Sequence, residues 1–551
     1  MRLRTGDSAG TSVPTPEGET PADTSAPGSL AGVRSWLNDT LRLRVLVFVA
    51  GVAALSLEMC APRLLGPYFG TSLVVWANII GFFLIYLAVG YFLGGRVADR
   101  YPSAALLGTL TVVAAAATAL IPIISGPILD WSVSGLDTDN ASVFFSSMLA
   151  VILLFAVPVI LLGFVSPFAV RLSVKRLGTT GSKAGSLYAL STAGSIVGAF
   201  LPVLVLIPWE GVRWTLFATA LALLLGSLLL LPLRPWRLRG VSGGAGLLSA
   251  LLLIPLLAPQ IMGPLKSEPG LIYDKESFYN YIQVVRASDG TMELVLNEGH
   301  AIHSIYNPNQ VLTGWYWDYY LAAPYFNPAP EGGQVHRVAI IGLAGGTIAR
   351  QFTAVYGPVP IDGVEIDPAI VAAGRKYFDM TEPNLHVYVA DGRTFMRVTH
   401  HTYDVVAIDA FQQPYIPFQL TTKEFFEEIR AHLSPNGVVV LNTGHTTHDY
   451  RLVQAFVNTL STVFPSVYTF NVPNTFNTEV MATMRPTSLQ TLVSNLHSVP
   501  PDSLMSTVAD EVLPVATVAH AQKGGIVFTD DQAPIEQITD QLLLNYIQQG
   551  S

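Results

Sequence analysis

The sequence predicts two classes of architecture in one chain: an N-terminal all-α domain of many membrane spans, then an α/β Rossmann-like domain preceded by a small antiparallel β unit. Three observations predict this. Seven apolar runs, each of about 20 residues or more and so long enough for ~30 Å of hydrocarbon, follow one another before residue 266. Charge divides at the same place: residues 1–266 hold 17 Lys/Arg against 11 Asp/Glu, and residues 267–551 hold 13 against 28. Beyond residue 336 short apolar runs alternate with amphipathic stretches, the rhythm of a parallel sheet covered by helices. The acidic second half argues against nucleic acid as a partner, because phosphates require a positive face. The single cysteine, Cys60, leaves no intrachain disulfide.

Residues 1–40 are rich in Ser, Thr, Pro, Gly and Ala without an apolar period, and read as a disordered tail with no signal-peptide pattern. The membrane domain, 41–266, carries about seven transmembrane helices, near 44–66, 72–95, 104–129, 143–170, 184–208, 213–233 and 244–264. Basic residues gather at Arg42 and Arg44, at Arg96 and Arg100, from Arg171 to Lys183, and from Arg234 to Arg239. The loop between the third and fourth spans holds Asp130, Asp137 and Asp139 with no Lys or Arg. Cationic loops stay cytoplasmic, so a multi-pass protein of the cell membrane with its N-terminus inside is expected. Seven crossings put residues 267–551 outside and six keep them inside. The last run follows "GVSGGAG" and contains two prolines, so the side remains open. Glu58 and Arg63 are ionisable groups at membrane depth, either functional or paired with each other, and "STAGSIVGAF" suits close helix packing.

Residues 267–335 alternate in polarity and are interrupted by Asp-Gly and Glu-Gly, the pattern of an antiparallel β unit. In 336–551, strands are expected at 337–342, 360–366, 385–389, 403–409 and 437–442. Helices are expected at 346–356, 368–378, 421–433 and 448–463. The first strand, "VAIIG", runs into the small-residue turn of Gly342, Ala344, Gly345 and Gly346, where a ligand can approach the backbone and a helix N-terminus offers free N–H groups. The second strand ends in Glu365, placed to accept both hydroxyls of a ribose. The third leads into "VADGRTF", where Asp391 either accepts from an adenine amino group or caps a helix, and Gly392 permits close approach. The fourth ends at Asp409, at the mouth of the sheet. No Gly-Lys-Ser/Thr follows the turn, so a nucleoside-triphosphate loop is excluded. An acidic mouth without a phosphate clamp suits a cationic sulfonium nucleoside.

Taken in order, "SFYNYIQV", "IIGLAGGTIAR", "GVEIDP", "VADGRTFM", "YDVVAIDAF" and "FTDDQAPIE" resemble the spermidine synthase family of aminopropyltransferases over about 270–535. The front half resembles bacterial proteins in which major-facilitator-like helices are fused to such a domain. The resemblance implies the methyltransferase/spermidine synthase fold, with decarboxylated S-adenosylmethionine as co-substrate and a polyamine acceptor such as putrescine. It further implies that Glu365 holds the ribose, Asp391 the adenine, the 342–346 turn the sulfonium nucleoside, and Asn280 the nucleoside's side chain. Asp409 matches the acid that receives the attacking amine, and Tyr316 and Asp318 lie near a segment that binds the distal amine.

Two departures bear on specificity. "GLAGGTIA" lacks the acid that family turns carry after the glycines, and the family's Asp-Ser-Ser-Asp is here "DAFQ", with Gln412 in place of the second acid. Fewer acids attract a dication less. Two further readings therefore stand beside aminopropyl transfer: a methyltransferase using S-adenosylmethionine, and a transporter or sensor whose sheet domain binds a nucleoside without turnover. No metal-ligand set is present in the sequence pattern, so no metal is expected. "TDDQAPIE" is either a loop over the crevice or a surface turn. The oligomeric state is not legible, a homo-oligomer being one option.

Overall fold

The computed structural model describes residues 30–70, 73–133, 140–174, 180–231, 263–299, 301–410 and 416–548. The expected tail lies outside these as far as residue 29. From Leu30 the chain is already helical, so that expectation is corrected over its last residues. The helix Leu30–Phe69 is followed by Leu73–Arg100, Ala104–Val133, Asn140–Gly163 with its continuation Val165–Ser173, Thr180–Leu201, and Ile207–Leu228. Among the described residues, five helical runs are long and apolar enough to span a membrane. The last of them, Thr180–Leu228, is folded in two at Gly211, whose φ of 84° no helix accommodates. The described residues therefore pass through the bundle six times. The expected seventh span falls almost wholly outside them.

Small residues set the closest contacts. Gly194 and Gly198 lie against the backbone of Phe48 and Val52. Ser195 donates to the Gly51 carbonyl at 3.3 Å, and Ser56 donates to that of Gly198 at 3.4 Å. The "STAGSIVGAF" run is thus a packing face, as small residues between membrane helices usually are. Arg63 does not pair with Glu58. Its guanidinium reaches the Phe278 carbonyl of the next domain.

Four strands form the expected antiparallel unit: β1 (Leu271–Glu276), β2 (Tyr281–Arg286), β3 (Met292–Leu296) and β4 (Ile302–Tyr306). A 3-10 segment, Tyr316–Phe326, then packs beneath the main sheet and so belongs with the sheet domain. That sheet contains β5 (Val338–Ile341), β6 (Ile361–Glu365), β7 (Leu385–Val389), β8 (Tyr403–Ile408), β9 (Leu433–Gly444), β10 (Ser466–Asn471), β11 (Asn477–Thr483) and β12 (Ala516–Ala519). Their order is β12-β10-β11-β9-β8-β5-β6-β7. The five expected strands are the parallel ones, and three antiparallel strands extend the β9 edge. From β5 the chain moves outward through β6 and β7, then returns to the other side of β5 as β8. The switch point lies between β5 and β8, where such sheets open a crevice at their carboxyl ends.

Candidate active site

The crevice is closed on one side by the turn after β5. Gly342 adopts φ 90°, and a Cβ there would lie 2.6 Å from the Asp409 carbonyl carbon and 2.8 Å from Ala410 Cα. Glycine is required because the tips of β5 and β8 touch. Gly345 and Gly346 have equally little room, against Ser304 and Phe378 and against Met380 respectively, so the turn is wedged between the β unit and the 378–380 segment. Gly392 approaches Ile341 in the same way.

Glu365, at the tip of β6, faces this turn. Its carboxylate accepts from the backbone N–H groups of Ala344 and Asp367, both at 3.0 Å. Burial pushes its pKa up to about 7 against the pull of those donors. Asp367 caps the helix Pro368–Tyr377 through the Ala369 N–H, and its other oxygen accepts from Ser277 and from the amide of Asn280. Asn280 also accepts from Asn297, so it braces the β unit and retains one N–H. Asp391 caps the helix Gly392–Val398 with one oxygen, accepting from Thr394 N–H at 2.8 Å, and leaves the other available. Beside it, buried Arg393 forks onto Asp530 and Glu428. The "TDDQ" segment is therefore a clamp on this helix.

Asp409 occupies the switch point. It accepts from Trp317 Nε1 at 3.1 Å, the Tyr316 hydroxyl at 3.3 Å and the Asn442 amide at 3.4 Å. Burial pushes its pKa up to about 6 although these donors favour the anion. Tyr316 thus stands at the site. Asp318, expected beside the distal amine, is fully buried and already accepts from Thr313 N–H and Oγ1, Gly314 N–H and Gln351. A carboxylate so supplied closes the 313–318 turn and has nothing left to offer an ammonium group. Residues 411–415, with Gln412, lie outside the described residues. Among the described residues no group of acids, His and Cys is arranged to hold a metal ion.

One acid at the site escaped the sequence reading. Glu479 on β11 pairs in register with Asn442 on β9, and Ile408 of β8 pairs with Leu441, so Asp409, Asn442 and Glu479 form a row across three strands. The available signal was an acid in an otherwise apolar strand, "NTEVMAT", whose residues from Thr478 to Thr483 are buried.

Residues 328–492 match the family model of the spermine/spermidine synthase domain. A probable polyamine aminopropyl transferase of Bifidobacterium longum is 38% identical over 219 residues, 39% of this chain and 47% of that protein. The polyamine aminopropyltransferase of Vibrio vulnificus is 30% identical over 241 residues, 42% of this chain and 77% of that one. This chain thus spans about half the length of the first relative and about three quarters of the second. The crystal structure of a probable spermidine synthase from Corynebacterium glutamicum aligns at 20% identity over 48% of this chain and 97% of its own, with a TM-score of 0.39.

Proposed function

Because the chain belongs to the spermine/spermidine synthase family, we propose that its C-terminal half moves an aminopropyl group from decarboxylated S-adenosylmethionine to a polyamine such as putrescine. The observation that carries this is the position of Asp409, half-buried at the switch point between the glycine turn and an aromatic wall. In this reading the lone pair of a neutral amine attacks the methylene carbon bonded to the sulfonium. The C–S electron pair returns to sulfur, methylthioadenosine leaves, and the nitrogen's proton passes to Asp409. Orientation and proton transfer are what such a displacement requires. A carboxyl of pKa about 6 is mostly ionised at neutral pH, yet basic enough to take a proton.

Glu365 would take the ribose hydroxyls with its remaining lone pairs, Asp391 the adenine amino group with its free oxygen, and Asn280 the aminopropyl arm with its spare N–H. The 342–346 turn, including Ala344, would line the sulfonium. Purified full-length protein in detergent, given the decarboxylated nucleoside and putrescine, should release methylthioadenosine. Release of S-adenosylhomocysteine from ordinary S-adenosylmethionine would instead favour methyl transfer. Binding without product across a panel of amines would leave the sensor reading.

For location, we infer that the bundle spans a bilayer and that residues 263–548 sit on the face opposite the cationic loops. Arg171 pairs with Asp99 at 3.4 Å, which puts the ends of the second and fourth passes on one face, and Leu231 returns there to lie against Gly108. At the opposite face the Gly263 carbonyl accepts from Arg213, the Leu265 carbonyl from Tyr68, and Glu276 from the Val212 N–H at 2.9 Å. Tyr68 also neighbours Asp130, 22 residues along the third helix from Gly108, or about 33 Å at 1.5 Å per residue. The chain thus leaves the bundle at one face and rejoins it at the other, and by the positive-inside rule the second is extracytoplasmic. Reporters active on only one side of the membrane, fused at residue 551, test this; a cytoplasmic signal refutes it.

A further inference from the structure

Alternate residues along β8, β9 and β11 face the 3-10 segment. Ala407, Val440 and Met481 form one apolar row of that face. One step of two residues towards the crevice gives the polar row of Asp409, Asn442 and Glu479. Glu479 is fully buried, and neither of its oxygens receives a donor at hydrogen-bonding geometry, although the Tyr320 hydroxyl lies close enough to favour its anion. The nearby Tyr320 hydroxyl donates to the Ile408 carbonyl at 3.0 Å. Asn442 is 3% exposed, and its Oδ1 is likewise unpartnered. A buried acceptor without a donor is costly, and here three converge on one end of the crevice. With no cation present, burial and the neighbouring Asp409 both hold Glu479 towards its neutral form; an ammonium group beside it would favour the carboxylate.

We propose that Glu479 is the specificity-determining residue of the acceptor site, receiving the distal ammonium of a short aliphatic diamine whose other nitrogen lies at Asp409. This rests on the aminopropyl-transfer reading and deepens it. An ammonium group brings three N–H donors and a positive charge, which matches two carboxylate oxygens and the Asn442 carbonyl oxygen. Butylamine, which has the diamine's carbon chain without the distal nitrogen, leaves all three unpaired, the arrangement by which enzymes reject an analogue most strongly.

The test compares full-length wild type, Glu479→Gln and Glu511→Gln, a half-buried acid outside the row, with decarboxylated S-adenosylmethionine and either putrescine or butylamine. Methylthioadenosine release and equilibrium diamine binding are both measured. Wild type is expected to favour putrescine by roughly 10²-fold in kcat/KM, and Glu479→Gln to lose most of that preference through KM for the diamine, by an order-of-magnitude argument from a lost buried charge pair. KM for the nucleoside should hold, and Glu511→Gln should retain the preference. An unchanged putrescine-to-butylamine ratio in Glu479→Gln, or a rise confined to the nucleoside KM, overturns the proposal. Should the wild type turn over no amine, the aminopropyl reading falls. Diamine binding then decides the residue's role alone: weakening in Glu479→Gln supports it, and equal affinity in the two proteins refutes it. A Glu479→Asp variant, which keeps the charge and should recover part of the preference, separates loss of charge from loss of fold.

Discussion

Substituting Gly342 by alanine tests the geometry on which the site depends. The φ of 90° makes any side chain there strained, at a cost of ~1–3 kcal/mol. The added methyl would also stand 2.6 Å from the Asp409 carbonyl carbon, whereas carbon atoms pack at about 3.5–4.0 Å. The tips of β5 and β8 must therefore part by roughly 1 Å, which adds overpacking strain of ~1–3 kcal/mol and moves Asp409 relative to the turn. A misplacement of that size can cost ~10²-fold in rate. Gly357 is the control: its φ is 79°, and nothing lies within 4 Å of a Cβ built on it. Thermal melting and methylthioadenosine release should show Gly357→Ala destabilised by the backbone term alone with turnover intact. Gly342→Ala should melt lower still and lose about two orders of magnitude in turnover. If the two variants melt alike and both keep wild-type turnover, the contact between strand tips is not what positions the acid.

Other predictions follow from the buried acids and their clamps. Asp409→Asn should lower turnover by ~10²–10⁴-fold with nucleoside affinity retained, as titration calorimetry would show. The raised pKa of Asp409 means that its contribution to stability is full below its unfolded value and is lost as pH rises through about 6. Asp409→Asn should therefore melt no lower than wild type at pH 8, and wild-type turnover should climb as pH passes 6; a flat rate profile from pH 5 to 8 would contradict the base role. Glu365→Gln places an amide against the N–H groups of Ala344 and Asp367, and should weaken nucleoside binding by ~1–3 kcal/mol; unchanged affinity would refute the ribose assignment. Arg393→Lys keeps the charge but loses the forks onto Asp530 and Glu428, so it should lower stability by ~1–3 kcal/mol, and an unshifted melting curve would show the clamp to be idle.

Parallel strands buried on both faces write continuous apolar runs, so "VAIIG" and "VVAID" announced themselves together with the acids at their ends. The added strands β10 and β12 are short and partly exposed, and β11 carries Glu479 in its interior, so none has a clean period. Their sheet neighbours are set by the fold, which is why an acid 70 residues after Asp409 could join its row unseen. Asp318 is the opposite case. An acid beside a tyrosine in an aromatic segment carries no sign of whether its lone pairs are already taken, and here the turn at Thr313 and Gly314 takes them. Asp391 served as a cap because Thr394 N–H lies three residues on, a geometry that spacing allowed but could not choose.

The junction between the two halves is also a titrating one. Glu276 receives the Val212 N–H at the fold of the last helical pair, and Glu298 lies against Gly70; burial pushes both carboxyls up to about 7. Each binds its proton more tightly docked than released, so docking is favoured at low pH and loosens as pH climbs through neutrality. We predict faster hydrogen exchange at the Val212 amide at pH 8 than the intrinsic base-catalysed rise accounts for, with the excess absent in Glu276→Gln; an equal excess in that variant would refute the coupling. A C-terminal half seated in this way would sense the acidity of the compartment it faces through its own foundations.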